Sequence, residues 1–168
     1  MNLSFEIVQF ETNVTQVVQR SRDVKSIRFK KPAAFNYIPG QWMYITLGDE
    51  NEQETKPLSL SSSPTEEFLE VTKRLTDHDF SNTLDSLKVG NMASMKGPYG
   101  NLTFQGEYDK ICMLSGGIGI TPLRSMIRYS TDIGLNTDIV LIYSNRYEDS
   151  IAFKDDLREF SGQIGILR

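Results

Sequence analysis

The stretch KICMLSGGIGITPLRSMIRYSTDIG, Lys110 to Gly134, decides the fold. It opens with a compact apolar run, KICMLS, of the kind that forms a buried strand in a parallel sheet. It passes through Gly116, Gly117 and Gly119 and then takes up the 3.6-residue period of an amphipathic helix. Thr121 is expected as the N-cap of that helix, Pro122 at its first position and Gly134 just past its end. Strand, glycine turn and helix in this order begin a β-α-β unit. The sequence beyond continues it. TDIVLIYSN (137–145) reads as a second buried strand and DSIAFKDDLREFSG (149–162) as a second helix stopped near Gly162. QIGILR (163–168) starts like a third strand.

Upstream the period is two. LSFEIVQFE, TQVVQRSR, VKSIRFKK, WMYITLGD, FLEVTKRL and NMASMKG each read as a short strand. KKPAAFNYIPG, GDENEQETKP and KGPYGN between them are turn and loop chemistry. FSNTLDSLKVG, Phe80 to Gly90, reads as one short helix bridging two strands. Six antiparallel strands in this length suggest a small closed barrel, because closure removes exposed edges. The expected fold is therefore mixed β and α/β: a six-stranded antiparallel barrel over residues 1–105, then a partial parallel-sheet α/β unit over 106–168. KPLSLSSSP, Lys56 to Pro64, fits neither period and reads as an extended segment rich in hydroxyls and backbone donors.

Composition narrows the function. Hydrophobic residues make up 39% and charged residues 24% of the 168, as in a globular protein with a real core. The net charge of -4 divides evenly: 11 Lys/Arg against 13 Asp/Glu up to Gln105, and 7 against 9 from Gly106 onward. Neither part has the basic surplus of a phosphate-backbone binder, so nucleic acid is not an expected partner. MNLSFEIVQF alternates like a strand and unlike a signal peptide, and no apolar run reaches membrane-spanning length. A single cysteine, Cys112, allows neither an internal disulfide nor a cysteine metal cluster, and the expected compartment is a reducing cytoplasm. The one histidine, His78, reads as a solvated loop residue without a metal role.

The glycines of LSGGIGITP bring backbone N–H groups to a helix start and make an anion site. A tight turn at a sheet edge is the plainer reading. Pro122 stands where the dinucleotide fingerprint G-x-G-x-x-G has its third glycine. Ser115 precedes the glycines rather than lying between them, so this is not a nucleophile elbow, and no Gly-Lys-Ser/Thr follows to make a P-loop. A dinucleotide pyrophosphate is the best remaining anion. At the end of the second strand, Ser144, Asn145 and Arg146 place no carboxylate against a ribose 2′-phosphate. Ser144 and Arg146 favour NADPH over NADH without excluding either.

Taken in order, these motifs resemble the ferredoxin–NADP reductase family across essentially the whole chain. YIPGQW resembles its Pro-Gly-Gln turn into a barrel strand, and KPLSLSSSP its Arg-x-Tyr-Ser flavin motif. VTKRL followed by FSNTLDSLKVG resembles the strand and short helix that hold the FAD pyrophosphate, and GPYGNLTF the segment that closes the barrel. LSGGIGITP and YSNRYEDSIAFKDDL resemble the nicotinamide-domain turn and the strand and helix after it.

The resemblance implies an FAD-binding barrel followed by a nucleotide-binding unit. Ser59 takes the place of the serine beside the flavin's hydride-accepting nitrogen. Lys56 takes the place of the motif's arginine near the phosphates, with Pro57 beside it and Lys73 adding a second charge. Leu58 stands where the family has a stacking tyrosine. Backbone amides around Ser81 and Asn82 complete the phosphate pocket. Gly116, Gly117, Gly119, Thr121 and Pro122 receive the nicotinamide nucleotide, with Thr121 near the nicotinamide.

The implied activity is hydride transfer from NADPH or NADH to FAD, with electrons passed to an acceptor protein or small molecule. The alternatives are a non-catalytic flavin- or nucleotide-binding module, or an electron-transfer subunit needing a partner. The nucleotide unit stops after its third strand, which implies a truncated product or completion by a partner. An open sheet edge after IGILR implies oligomerisation.

Overall fold

A computed structural model describes residues 5–49 and 52–161. Strands β1 (Val8–Ser21), β2 (Val24–Lys30), β3 (Trp42–Leu47), β4 (Glu54–Ser59), β5 (Phe68–Arg74) and β6 (Met92–Tyr99) form one antiparallel sheet in the order β4-β3-β6-β1-β2-β5. The sheet curls until its edges meet at the Leu60–Val71 bridge, which gives the expected six-stranded barrel. Phe29, Met43, Ile45, Leu69 and Met95, none of them exposed, fill its interior.

The strand count of six conceals two corrections. The end of LSFEIVQFE, from Val8, and TQVVQRSR up to Ser21 are one strand, β1, since no glycine or proline separates them. Its first half pairs with β6 and its second with β2, with register shifts between Val14 and Gln16 and between Gln19 and Ser21. Such shifts bend a strand and let one strand turn a barrel corner. The sixth strand, β4, lies in sequence expected to be loop. ETKPLS is polar on both faces because β4 is an edge strand, and an edge tolerates Pro57.

Helix α1 (Asp79–Ser86) stops before the expected Gly90, because Leu87 turns to extended geometry and Gly90 adopts φ +93°. Strands β7 (Lys110–Gly116) and β8 (Asp138–Ser144) pair in parallel, joined by a 3₁₀ turn at Gly117–Gly119 and helix α2 (Ile120–Asp132). Thr121 is not the N-cap: that position is Gly119, and Thr121 lies inside the helix with its hydroxyl donating to the Ile118 carbonyl at 3.2 Å. Pro122 accordingly sits at the third helical position. Gly134 ends the helix as expected, at φ +65°, with Leu135 N–H bonded to Ser130 O and Gly134 N–H to Thr131 O.

The second helix is shorter than expected. A 3₁₀ turn at Glu148–Ser150 and a left-handed Phe153 (φ +60°) precede α3 (Lys154–Ser161). Phenylalanine in that conformation costs roughly 1–2 kcal/mol. The Phe153 ring is buried beneath the Arg20 guanidinium, which offsets part of that cost. Gly162 and QIGILR lie outside the described residues.

The parallel pairing is as expected, but the full burial of these strands is not. Met113, Ile139 and Leu141 face the helices, whereas Cys112, Leu114 (71% exposed) and Ile142 (54% exposed) face solvent, because α2 and α3 cover one face only. No described helix is long and apolar enough to cross a membrane.

The barrel and the α/β part meet on a buried polar seam. Arg124 of α2, 2% exposed, donates through Nη1 to Ser61 O (3.0 Å) and to Glu66, through Nη2 to Glu66 Oε1 (3.1 Å) and Asp156 Oδ2 (2.8 Å), and through Nε to Asp156 (3.0 Å). Ser125 Oγ donates to Ser62 O at 2.5 Å. Beneath this, fully buried Glu70 accepts from Arg20 and Arg28, both at 2.8 Å, and from Ser61 Oγ at 2.9 Å. Burial alone would lower the Arg124 pKa, but Glu66, Glu70 and Asp156 hold it above the usual arginine value. Arg124→Met leaves Glu66 without its guanidinium and Asp156 with only Arg20, 3.6 Å away, and should lower stability by about 3–5 kcal/mol in urea unfolding. A midpoint equal to that of the unmodified chain would show that the seam does not depend on this residue.

Candidate functional site

The segment KPLSLSSSP divides at Ser59. Its first part lines a cleft of about 580 Å³ together with Glu54, Lys73, Asp79, Phe80 and Ser81. Lys56, Pro57, Leu58, Lys73 and Ser81, five of the residues singled out in the sequence, are thus brought together. Its second part faces elsewhere. Ser61, Ser62 and Ser63 are 0% exposed and belong to the seam: Ser62 binds Tyr37 and Ser125, and Ser61 binds Glu70 and Arg124. The serines expected along an extended flavin lining are structural from Ser61 onward.

Two ammonium groups face this cleft. Lys73 is pulled below its usual pKa of 10.5, first by burial and then by repulsion from Lys56. A cleft that holds two mutually repelling cations favours an anion that neutralises both. The start of α1 adds to this field. Asn82 N–H already bonds His78 O at 2.9 Å, so Asn82 supplies no free amide, and its side chain is exposed. The amides of Asp79, Phe80 and Ser81 precede the first intrahelical bond. Ser81 Oγ accepts from Thr76 N–H at 2.8 Å, which fixes the turn into the helix. Asp77 and Asp79 also line the cleft and oppose the lysines, and His78, the N-cap residue, lies exposed on its wall. Ser59 is not among the lining residues. It pairs with Trp42 where β4 leaves the cleft for the seam. Leu58 divides its surface between the cleft and the barrel core.

The second candidate site lies at the carboxyl ends of β7 and β8. Gly116 and Ser144 are register partners, so the glycine turn and the end of the second strand are side by side as the fold requires. Gly117, at φ +51°, is held from below by Tyr143, whose hydroxyl donates to Gly117 O at 3.0 Å and whose pKa is raised by burial. Thr121 is spent on the Ile118 carbonyl, and Arg146 is exposed beyond the strand end. Among the described residues, Ser115 Oγ, both amide atoms of Asn145 and Arg74 Nε are buried without a hydrogen-bond partner. Buried polar atoms are otherwise nearly always satisfied, and such orphans gathered round a glycine turn fit a site that a polar ligand completes. Asn145 and Arg74 carried no assigned role in the sequence. The signal for Arg74 was its place directly after Lys73 on a strand, where neighbours face opposite ways.

Residues 11–104 match the family model of the oxidoreductase FAD-binding domain, and residues 113–165 that of the oxidoreductase NAD-binding domain. The chain belongs to the oxidoreductase FAD-binding family. FAD and a nicotinamide nucleotide are the cofactors of these two matched domains, as the resemblance to ferredoxin–NADP reductases implied. The glycine betaine monooxygenase reductase subunit of Chromohalobacter salexigens is 34% identical over 155 residues, which cover 89% of this chain and 42% of that one. The chain therefore spans about two fifths of the length of that relative. Among solved structures, the ferredoxin–NADP⁺ reductase of Plasmodium falciparum superposes with a TM-score of 0.83 at 19% identity, over 95% of this chain and 69% of that one. The flavohem-like FAD/NAD-binding domain of nitric oxide dioxygenase from Vibrio cholerae gives 0.82 at 19% identity, over 93% and 70%. At that identity the likeness is one of fold.

The residues present fit FAD in the first cleft: cations and free amides for a diphosphate, and Pro57 and Leu58 for apolar contact. Lys73→Gln should weaken FAD about tenfold in a flavin-fluorescence titration. In the unmodified chain FAD affinity should fall as pH rises through the lowered Lys73 pKa, since a neutral amine no longer attracts phosphate, and this fall should be absent in the glutamine variant. Identical pH profiles in the two proteins would remove Lys73 from the site.

Proposed function

We propose that the chain is the flavin-binding and nucleotide-receiving part of an FAD-dependent NAD(P)H oxidoreductase that hands electrons to a separate acceptor. One observation carries this reading: β4 runs from a cleft with two cations, through Ser59, directly onto the seam that holds the glycine-turn unit. Two candidate anion sites linked through one connection, from β4 through Ser61 to α2, suit two dinucleotides meeting near Ser59. Bound together, the nicotinamide supplies a hydride, which the flavin accepts and passes on as electrons.

The chain's own residues bind and orient. Lys56 and Lys73 hold the flavin's diphosphate, and Leu58 covers part of a ring face. Ser59 presents its hydroxyl to the ring nitrogen. Gly116, Gly117 and Gly119 let the nucleotide approach the backbone, and Ser144 and Arg146 meet its adenosine end, where Arg146 favours a 2′-phosphate. No acid–base pair is needed, because the hydride moves between cofactors. The acceptor we infer is the terminal component of an oxygenase, since the similar Chromohalobacter protein is a monooxygenase reductase subunit.

In anaerobic titration of the FAD-loaded chain, NADPH or NADH should bleach the visible flavin absorbance. Flavin that stays oxidised with both nucleotides would leave a non-catalytic binding module in place of this proposal. Ser59→Ala should slow the bleaching about tenfold or more with FAD still bound. Leu58→Tyr should tighten FAD by up to about tenfold, through restored ring stacking. Unchanged reduction and binding in both variants would mean that the flavin ring lies elsewhere.

A further inference from the structure

Lys73 and Arg74 are adjacent on β5 and face opposite sides of the sheet. The register sets this. Lys73 pairs with Lys25, whose ammonium bonds Asp85 of α1, so this face opens on the flavin cleft. Arg74 pairs with Val24, a 1%-exposed member of the core of the α/β part, so this face opens on the glycine turn. The Arg74 guanidinium reaches that turn: Nη2 lies 3.5 Å from the place a Cβ on Gly117 would occupy. Its positive charge acts on the phenol of Tyr143, whose hydroxyl bonds the Gly117 carbonyl.

Arg74 is also poorly paired where it stands. Its Nε faces Asp23 Oδ2 at 3.4 Å in a long ion pair that makes no aligned hydrogen bond, and 40% and 44% of the two side chains are exposed. A guanidinium kept beside a glycine turn, with a buried N–H unsatisfied, can gain charge-assisted bonds from an anion over that turn. The vacancy left by the Cβ that Gly117 lacks is where such an anion would touch both.

We propose that Arg74 is the barrel's contribution to the nucleotide site. It binds the diphosphate of the nicotinamide nucleotide over Gly117, while Lys73, one residue earlier, serves the diphosphate of FAD. The proposal rests on the function proposed above and adds to it a residue that crosses from one part of the protein to the other. The nucleotide's diphosphate then bridges the glycine turn and β5, across the same two parts that the Arg124 seam holds in register.

Calorimetric titration of the FAD-loaded 168-residue chain with ADP-ribose tests this, because ADP-ribose carries the diphosphate and cannot reduce the flavin. Arg74→Gln should weaken ADP-ribose about tenfold or more while FAD affinity stays within about twofold. Lys73→Gln should do the reverse. Arg74→Lys keeps the charge without the fork and should recover about half of the lost binding free energy. Asp23→Asn removes the competing carboxylate and should tighten ADP-ribose about twofold to fivefold, a sign that does not depend on the glutamine variant folding.

An unmodified chain that binds ADP-ribose, with Arg74→Gln binding equally well, overturns the role of Arg74 alone. So does an Asp23→Asn variant with unchanged or weaker binding. An unmodified chain that takes FAD but no ADP-ribose overturns the nucleotide-receiving function, and the role of Arg74 with it.

Discussion

An arginine has five N–H groups in one rigid plane, and at Arg124 all five are used inside the protein. The acceptors come from two separate places: the β4–β5 connection, through Ser61 O and Glu66, and α3, through Asp156. Burying a guanidinium costs several kcal/mol, which is recovered only when every donor meets its acceptor. The three segments therefore have one arrangement that satisfies Arg124. Asp156 is shared with Arg20, 3.6 Å away, and Arg20 shares Glu70 with Arg28, so the constraint extends across β1, β2 and β5. An apolar seam of the same area would tolerate sliding, whereas this network loses hydrogen bonds with any displacement.

That single register matters because β5 borders both candidate sites, with Lys73 in the cleft and Arg74 beside the glycine turn. β4 lines the candidate flavin cleft at Lys56 to Leu58, and the chain reaches the seam two residues after Ser59. β5 turns Lys73 to the cleft and Arg74 to the glycine turn, and at Glu70 and Thr72 it is buried on the side facing the α/β part. A shift of the α/β part by one residue along β5 would carry the glycine turn past Arg74. The network at Arg124 thus sets the separation of two candidate sites that it does not touch, and the serines of KPLSLSSSP serve it directly: Ser61 and Ser62 offer carbonyls to α2 and hydroxyls to the barrel.

The sequence revealed the architecture better than the seam. Period-two alternation and the strand–glycine–helix order of Lys110 to Gly134 were enough to read a barrel followed by a parallel pair, because both signals come from local backbone preference. The junction between LSFEIVQFE and TQVVQRSR misled because a bulged corner and a loop look alike when residues such as Thr12 and Asn13 intervene. β4 was missed because an edge strand has no buried face to impose alternation. The cleft lysines were legible through the resemblance to known flavoproteins. Arg124, Glu66 and Asp156 were not, since charges at helical and loop positions read as solvated until tertiary contact buries them. Thr121 showed the reverse error: a Thr-Pro pair is a sound N-cap signal, and here the Gly117–Gly119 turn starts the helix one residue before it.

The chain carries a net charge of -4, which disfavours anions at long range, yet its proposed ligands are dinucleotides. Net charge acts over the Debye length, about 8 Å at physiological ionic strength, and is largely screened beyond it. Lys56 and Lys73 line the candidate flavin cleft and Arg74 stands beside the glycine turn, so in the proposed sites their charge is local. Asp23 and Asp79 stand beside them as exposed carboxylates. With no ligand bound they offset part of the local positive field, and with phosphate bound they compete with it. Such an arrangement favours an anion that can bond the cations and amides directly over one that only senses their charge.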